Sequence, residues 1–311
     1  MKSSVNFKRV AFTLIELLVV IAIIGILSGM IAVGMSGVTQ KATIAKAQVF
    51  SNSLKNSLLL NLVSEWRLDE NTGTTTTDSW SGGNTGTLVG ATHLPVWKTG
   101  TDCVNGSCLQ FDGTEDYVNF GTNSNLSMGL GDATVSLWTR FDNALAPQNE
   151  ILFICGAYID GVGQGGYWLR REMSTSSLRF GFSDGAITRI VSYLSGSGSA
   201  VGNTWYNIVV VFDRDGLAQA YINGIKQTGY SLNISAQQGS ITNSMNYRVG
   251  APEATLFRLA GKMDEFRVYN AMISISQIKQ QYYLGLNNLL FNKGISKKDY
   301  NERINLISIN E

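Results

Sequence analysis

The sequence has little of what several classes of protein require. Its 311 residues contain one histidine, His93, which excludes zinc sites with several histidines and iron sites with two histidines and a carboxylate. The 24 basic and 23 acidic side chains leave a net charge of +1, so no overall basic surface is available to bind nucleic acid. Only 15% of residues are charged and 44% are hydrophobic, which argues against a disordered chain and a coiled coil. The length suits about two domains.

One apolar run stands out against this composition. Residues 12–35 contain a single charged side chain, Glu16, and as a helix they would extend ~36 Å, compared with ~30 Å for the hydrocarbon core of a bilayer. Three basic residues precede the run, and the next cation, Lys41, follows it. This charge bias predicts one membrane-spanning helix, with residues 1–11 in the cytoplasm and the rest of the chain exported.

The start of this run carries a recognisable motif. Residues 8–18, KRVAFTLIELL, resemble the prepilin signature of type IV pilins and of the related pseudopilins of type II secretion. The resemblance implies that a prepilin peptidase cuts between Ala11, where the family usually has glycine, and Phe12, whose new amino terminus is then methylated. A carboxylate inside a membrane helix costs ~2.5–3.5 kcal/mol and needs a partner. The family implies that Glu16 faces the amino terminus of Phe12 in a neighbouring subunit of a homo-oligomeric filament.

Beyond residue 35 the pattern becomes that of an amphipathic helix. Apolar residues recur three or four positions apart among polar ones. We therefore predict one long α-helix over residues 12–63, in which the membrane-spanning part continues into a filament shaft.

From residue 64 onward, short alternating runs between turn residues are typical of an all-β protein. Residues 134–141, TVSLWTRF, alternate between apolar positions and positions for the opposite face of a strand. Residues 205–228 predict three strands joined by an Asp215-Gly216 turn and an Asn223-Gly224 turn. Spacing of this kind predicts a sandwich or a barrel.

Five stretches of this region resemble the laminin-G-like, concanavalin A-like lectin family, in family order. They are residues 66–78, 108–118, 135–138, 205–224 and 261–270. The resemblance implies a two-sheet jelly roll over residues 64–283. The predicted fold is therefore mainly β, a concanavalin A-like sandwich on a type IV pilin shaft helix.

The same resemblance implies binding of a glycan or another surface ligand, and calcium (Ca²⁺) held by Asp69, Asp112 and Asp264. Calcium takes six to eight oxygen ligands and tolerates irregular loops. Asp112 and Asp264 could instead cap turns by binding backbone amides. Five tryptophans are candidates for stacking on sugars, although most tryptophans in a sandwich fill its core: Trp80, Trp97, Trp138, Trp168 and Trp205.

Catalysis is not predicted. Glycosidases on this fold need two carboxylates ~5–9 Å apart that point into one groove. Asp264 and Glu265 are adjacent in a predicted strand and would point to opposite faces, as would Glu115 and Asp116. His93 has no acid or nucleophile close to it in sequence and is interpreted as a turn or packing residue.

The three cysteines have different surroundings. Cys103 and Cys108 enclose a turn-like loop, which in an exported domain predicts a small disulfide. Cys155 lies in an apolar run and is predicted to pack in a strand.

The last residues, 284–311, predict a short helical hairpin. A leucine stripe ends at Asn292-Lys293-Gly294, and Ser296 with Asp299 resembles a capping box that opens a second helix. This hairpin resembles the short C-terminal oligomerisation modules of the SHOCT type, or it packs on the sandwich as a lid.

Together these patterns predict a type IV pilin-like subunit, anchored in the cytoplasmic membrane and assembled into a surface filament, whose head serves adhesion. One alternative is a pseudopilin of a type II secretion system, whose head serves assembly only. A second is a carbohydrate-active enzyme tethered to the membrane.

Overall fold

The structure is a computed structural model of a chain that divides into two compact units, Met1–Ser57 and Leu58–Glu311. It describes Leu18, Ile21 and residues 60–309 except 81–82, 128, 144–147, 157–164, 174, 186–189, 195–201, 229–230, 242–245 and 252–256. The predicted leader and the apolar run, apart from Leu18 and Ile21, lie outside the described residues, and so do Ala11, Phe12 and Glu16. No helix in the described part is both long enough and apolar enough to cross a membrane.

The elements of the described part are numbered in chain order. The strands are β1 (Leu62–Trp66), β2 (Thr75–Thr76), β3 (Gly86–Val89), β4 (Val96–Thr99), β5 (Ser107–Asp112), β6 (Tyr117–Asn119), β7 (Ala133–Phe141), β8 (Glu150–Gly156), β9 (Gly165–Arg171), β10 (Leu178–Asp184), β11 (Ile190–Leu194), β12 (Trp205–Phe212), β13 (Leu217–Ile222), β14 (Ile225–Lys226), β15 (Leu232–Asn233), β16 (Tyr247–Val249) and β17 (Ala260–Tyr269). The helices are α1 (Ile275–Phe291) and α2 (Lys297–Ile309), and short 3₁₀ turns occupy Gly100–Asp102 and Ser124–Leu126.

The strands form two antiparallel sheets. The first sheet has the order β14-β13-β12-β7-β17-β5-β4, with β1 also paired to β17 and β15 to β13. The second sheet has the order β11-β10-β9-β8-β16-β6-β3-β2. Side chains from both sheets form one hydrophobic core between them, including Trp66, Val135, Phe153, Phe212 and Phe266. The predicted sandwich is confirmed.

Alternation along the strands decides which side chains enter this core. In β7, Val135, Leu137 and Phe141 are buried between the sheets, whereas Trp138 lies on the outer face of the first sheet. The predicted turns also form, and Asn223 and Gly224 have the positive φ values, 53° and 77°, that suit a tight hairpin turn.

Two predicted boundaries are wrong. Leu62 and Val63 belong to β1 and not to a helix ending at residue 63, because this segment pairs with β17, where Leu62 lies opposite Tyr269. Helix α1 begins at Ile275, nine residues before the predicted hairpin, because Ser274 forms a capping box there with Gln277.

The helical hairpin packs on the outer face of the first sheet. Tyr282 of α1 stacks on Trp138, with ring centroids 5.6 Å apart and planes at 10°. Gly285 makes this approach feasible, since a Cβ atom at that position would lie 2.3 Å from Cζ2 of Trp138. Helix α2 begins with the predicted capping box of Ser296 and Asp299. The hairpin thus packs on the sandwich as the lid alternative expects, and its resemblance to an oligomerisation module stays a prediction.

Candidate functional site

A β-bulge in β17 determines where two candidate carboxylates lie. The pairing of β17 with β7 shifts between Asp264 and Arg267. Met263 and Phe266 both enter the core, so two consecutive residues between them lie on the outer side. Glu265 has a φ of 51°, which turns the backbone at this point. The prediction that Asp264 and Glu265 point to opposite faces is therefore wrong.

Both carboxylates bind the disulfide loop, residues 103–108. Oδ2 of Asp264 accepts hydrogen bonds from the backbone N–H of Val104 at 2.8 Å and of Asn105 at 3.0 Å. Oε1 of Glu265 accepts from the side-chain amide of Asn105 at 3.2 Å. Asp264 is fully buried, and this burial together with the charge of Glu265 raises its pKa well above the usual range.

The disulfide loop joins the sandwich to α1. The structure bonds Cys103 to Cys108, with Cα atoms 5.4 Å apart, and both are fully buried. Their cluster includes three residues of α1, Tyr282, Leu286 and Leu289. The side chain of Asn292 also donates to the carbonyl of Val104 at 3.2 Å. Cys155 lies in β8 within the main core.

The three carboxylates predicted to hold calcium do not meet at one point. Asp69 accepts from the N–H of Ser107 at 2.9 Å, at the same loop as Asp264. Asp112 lies at the opposite end of β5, ~17 Å away for a six-residue strand, where it accepts from the N–H and hydroxyl of Thr114 at 2.7 Å. The described residues contain no group of three or more histidine, cysteine or carboxylate side chains placed to hold a metal ion. The trio therefore does not fit a single site, and calcium binding by any of its members stays a prediction.

Residues of the second pair and His93 have structural contacts. Glu115 accepts from the backbone N–H of Thr92 and, at 2.8 Å, from that of His93, which is exposed. Asp116 is 1% exposed and accepts from the N–H of Asp112 through both carboxylate oxygens at 3.1 Å. Burial raises the pKa of Asp116 to about 7.

The five candidate tryptophans divide into two groups. Trp138, Trp168 and Trp205 are buried, with 1%, 3% and 3% exposure. Trp80 and Trp97 are half-buried, and the Nε1 of Trp97 donates to a backbone carbonyl at 3.0 Å. Of these five side chains, only Trp80 and Trp97 could therefore stack on a ligand without a rearrangement of the structure.

The outer face of the second sheet carries a row of residues, one from each of five strands, that sequence reasoning missed. Register places Gly181, Trp168, Ile154, Arg248 and Asn119 side by side across five strands. The ring of Trp168 covers Gly181, where a Cβ atom would lie 2.4 Å from Cζ2. A residue with a side chain at position 181 would displace this ring.

Four guanidinium groups lie along this row, two towards each end, and one of them belongs to Arg248 of the row itself. Those of Arg170 and Arg179 lie 5.3 and 5.9 Å from the Trp168 ring, and both groups pair with Glu172. Those of Arg248 and Arg258 lie 5.0 and 6.0 Å from the ring of Tyr117. We call this group of side chains the arginine face, and define it by these residues: Tyr117, Trp168, Arg170, Arg179, Arg248 and Arg258. Trp168, Arg170 and Arg248 are buried, with 3%, 5% and 5% exposure. The available sequence signal was arginine between two core residues, as in Tyr247-Arg248-Val249.

Two packed antiparallel sheets with this strand order define a lectin-like β-sandwich. The chain belongs to the concanavalin A-like lectin/glucanases superfamily, whose family model matches residues 112–279, more than half of the chain. A prokaryotic N-terminal methylation motif matches residues 11–32. Both resemblances inferred from the sequence are confirmed. No curated protein matches the sequence significantly.

Solved structures share the fold at low identity. The binding domain of Paraclostridial Mosquitocidal Protein 1 is 15% identical, with a TM-score of 0.57 over 74% of this chain and 53% of that one. Domain 4 of AbnA, an extracellular GH43 arabinanase from Geobacillus stearothermophilus solved with arabinotriose, is 17% identical, with a TM-score of 0.55 over 71% of this chain and 97% of that domain. The ligand binding domain of botulinum neurotoxin serotype D, solved with N-acetylneuraminic acid, is 12% identical, with a TM-score of 0.54 over 75% and 53%. The chain thus spans about half the length of the toxin domains.

Proposed function

We propose that the protein is a type IV pilin-like filament subunit that displays a glycan-binding head outside the cell. The observation that carries this proposal is the presence, in one chain, of the methylation motif at residues 11–32 and the lectin-like domain at residues 112–279. The motif supports membrane insertion, processing and assembly. The domain supports recognition.

The amino-terminal part of the proposal concerns processing. A prepilin peptidase removes residues 1–11, and Phe12 becomes the methylated amino terminus. Intact-mass analysis of protein extracted from membranes tests this step, with a mass that begins at Phe12 and carries one added methyl group as the expected result. Functional filaments that retain residues 1–11 would contradict the pilin assignment.

Filament assembly depends on Glu16 in this proposal. A Glu16→Gln variant still enters the membrane, because a charge has been removed from an apolar helix, but it forms fewer filaments. Electron microscopy of sheared filaments measures the difference. Normal filament yield from the variant would show that no ion pair between Glu16 and Phe12 is required.

Sugar complexes of structural relatives support a glycan as the ligand of the head. Arabinotriose is bound to the arabinanase domain and N-acetylneuraminic acid to the neurotoxin domain. A glycan array probed with the detergent-solubilised chain tests this assignment. Selective binding to a group of related glycans is expected, and an array without any signal would argue against a lectin role.

Burial and hydrogen bonding of the carboxylates support binding over catalysis. The bulge places Asp264 and Glu265 on one side of β17, yet Asp264 is fully buried and both side chains bind the disulfide loop. Neither carboxylate is placed to meet a polysaccharide.

The methylation motif is shared with pseudopilins, so the alternative needs its own test. A strain without this protein that adheres normally but fails to export proteins would favour a pseudopilin of type II secretion. Loss of adhesion with normal export would favour the adhesive filament.

A further inference from the structure

The bond between Cys103 and Cys108 lies under the helical hairpin. Cys108 points outward from the first sheet, because the next residue of β5, Leu109, enters the main core. Both cysteines are fully buried. The hairpin contributes four buried residues to their apolar cluster: Tyr282, Leu286, Leu289 and Ile307. The hairpin therefore covers the bond on the outer side of the sheet.

The disulfide loop is also held by residues outside the hairpin. Oδ2 of Asp264 accepts from two of its backbone N–H groups. Ser107 donates its N–H to Asp69 at 2.9 Å and its hydroxyl to the carbonyl of Leu68 at 2.8 Å. The hairpin adds a bond from the side chain of Asn292 to a carbonyl of the loop at 3.2 Å. If the hairpin undocked, these other bonds would keep the loop in place while its sulfur atoms became uncovered.

Helix α2 and the main core make the hairpin separable from the sandwich. Ile307 is the one fully buried side chain of α2. Arg303 donates to the carbonyl of Trp205 at 3.0 Å, and Tyr300 donates to Asn287 of α1 at 2.8 Å. Among the described residues, the main core between the sheets includes none from the hairpin. An element attached in this way can open locally while the core stays closed.

The chemistry of disulfide formation requires space at the sulfur atoms. The thiolate of one cysteine attacks an external disulfide, which gives a mixed disulfide and releases one thiol, and the second cysteine then displaces the other thiol. The external disulfide takes up two electrons, and the two protons of the cysteines pass to the released thiols. Cleavage by a thiol follows the same steps in reverse. A fully buried sulfur atom has no room for the external group of the mixed disulfide, so both directions require an open hairpin.

We propose that the helical hairpin is a cover that docks after Cys103 and Cys108 have been joined and that then protects the bond from thiols. Oxidation of the two cysteines by a disulfide reagent thus precedes docking of the hairpin.

The test measures how fast a thiol cleaves the bond in the folded full chain in detergent micelles. The oxidised protein is incubated with dithiothreitol, free thiols are trapped with iodoacetamide, and a peptide map follows each cysteine over time. Cys155, which is buried in the main core, reports unfolding of the whole sandwich. The chain unfolded in urea gives the rate for an unprotected bond.

Two glycines provide a matched pair of variants. A Cβ atom would lie 2.3 Å from Cζ2 of Trp138 in Gly285→Ala, and 2.4 Å from Cζ2 of Trp168 in Gly181→Ala. Only the first variant disturbs the docking of the hairpin, because Gly181 lies on the second sheet. Alanine also has a higher helix propensity than glycine, so weaker docking in Gly285→Ala is not caused by melting of α1.

We expect the bond to be cleaved about tenfold or more faster in Gly285→Ala than in the wild type, since local opening limits the reaction. Gly181→Ala should stay within about twofold of the wild type. Arg303→Gln, which removes the contact of α2 with Trp205, should fall between the two. Cys155 should stay unlabelled in all of these proteins.

Equal cleavage rates in Gly285→Ala and Gly181→Ala would overturn the proposal. A wild-type rate as high as that of the unfolded chain would also overturn it, because the bond would then have no protection. Labelling of Cys155 in step with cleavage would show that the whole sandwich opens and that the hairpin is not a separate cover. If Gly285→Ala does not fold, cleavage of Arg303→Gln at the wild-type rate counts against the proposal.

Discussion

On the outer face of each sheet a tryptophan ring packs against a glycine, but the glycine belongs to a different kind of element in each case. On the first sheet Trp138 fills the space left by Gly285, which belongs to the covering helix α1. On the second sheet Trp168 fills the space over Gly181, which belongs to the sheet itself. A glycine on the covering helix lets that helix pack closely on the tryptophan ring of the sheet. A glycine on the neighbouring strand instead lets the tryptophan ring lie over the sheet itself, beside the arginines.

The buried cations of the two faces can be compared by their partners. On the first sheet each buried cation meets a carboxylate: Lys262 lies 2.9 Å from Asp102, and Arg267 lies 2.8 Å from Glu65. On the second sheet Arg258 has buried donors without an acceptor. Buried donors without an acceptor occur on both sheets, since Nε of Arg140 in β7 also has none, so the clearest difference between the two faces is the helix that packs on the first sheet. The following predictions test this contrast.

The largest effect is expected from Trp138→Ala, on the outer face of the first sheet, where α1 packs. Removing a buried tryptophan that stacks on Tyr282 should lower the free energy of unfolding by ~3–5 kcal/mol. Urea denaturation measures this change, and Trp97→Ala, at a half-buried position, serves as the milder control. Binding of glycans by the folded fraction should stay at the wild-type level. A loss of binding that exceeds the loss of folded protein would show that the outer face of the first sheet also takes part in glycan binding.

The next effect is a pH dependence at Asp116, which directly precedes β6 of the second sheet. The pKa of Asp116 is about 7 in the folded chain and about 3.8 when unperturbed, so the folded state holds a proton that the unfolded state has released between these values. The free energy of unfolding contributed by this residue therefore falls as the pH rises from about 4 to about 7. Asp116→Asn should abolish this fall while keeping an acceptor for the N–H of Asp112.

A matched control has the opposite sign. Burial raises the pKa of Asp112, but hydrogen bonds with Thr114, Asp116 and Glu115 together outweigh it and lower the pKa, so the stabilisation is present above the usual pKa and is lost as the pH falls. Denaturation curves of wild type, Asp116→Asn and Asp112→Asn at pH 4.5 and 7.5 measure the contribution of Asp116, and curves at pH 4.5 and 2.5 measure that of Asp112. Parallel pH profiles for wild type and Asp116→Asn would refute the assignment.

A smaller effect is expected from the disulfide loop. Replacing Cys103 and Cys108 together by serine should lower the free energy of unfolding by about 2 kcal/mol, as expected for closing a short loop. Hydrogen exchange should increase first in α1, since the loop packs on that helix. Cys155→Ala is the control that keeps the disulfide. A peptide map that links Cys155 to either partner would contradict the structure.

The smallest effect is expected at the exposed ion pair of α2. Lys298 and Glu302 lie 3.8 Å apart and are 83% and 61% exposed, so Lys298→Gln should change the free energy of unfolding by less than ~0.5 kcal/mol. Thermal denaturation at low and high salt measures it. A larger loss of unfolding free energy would mean that surface charge on α1 and α2 contributes to their packing on the first sheet.

Much of the fold was accessible from the sequence because its signals are local. The alternation of β7, the Asn223-Gly224 turn and the Ser296 capping box each depend on residues only a few positions apart. The candidate site was less accessible. Glu265 was assigned to the wrong face because regular alternation gives no sign of a bulge.

The sequence by itself determined the prepilin motif, the family of the sandwich, the pairing of Cys103 with Cys108 and the existence of the helical hairpin, since each is encoded in neighbouring residues. Tertiary structure alone decided which tryptophans are buried, where the carboxylates point and which arginines share a face. Arg248 and Tyr117 are more than a hundred residues apart, and only the register of β16 on β6 brings their side chains together. Strand register depends on the packing of the whole sandwich, and no short segment contains that information.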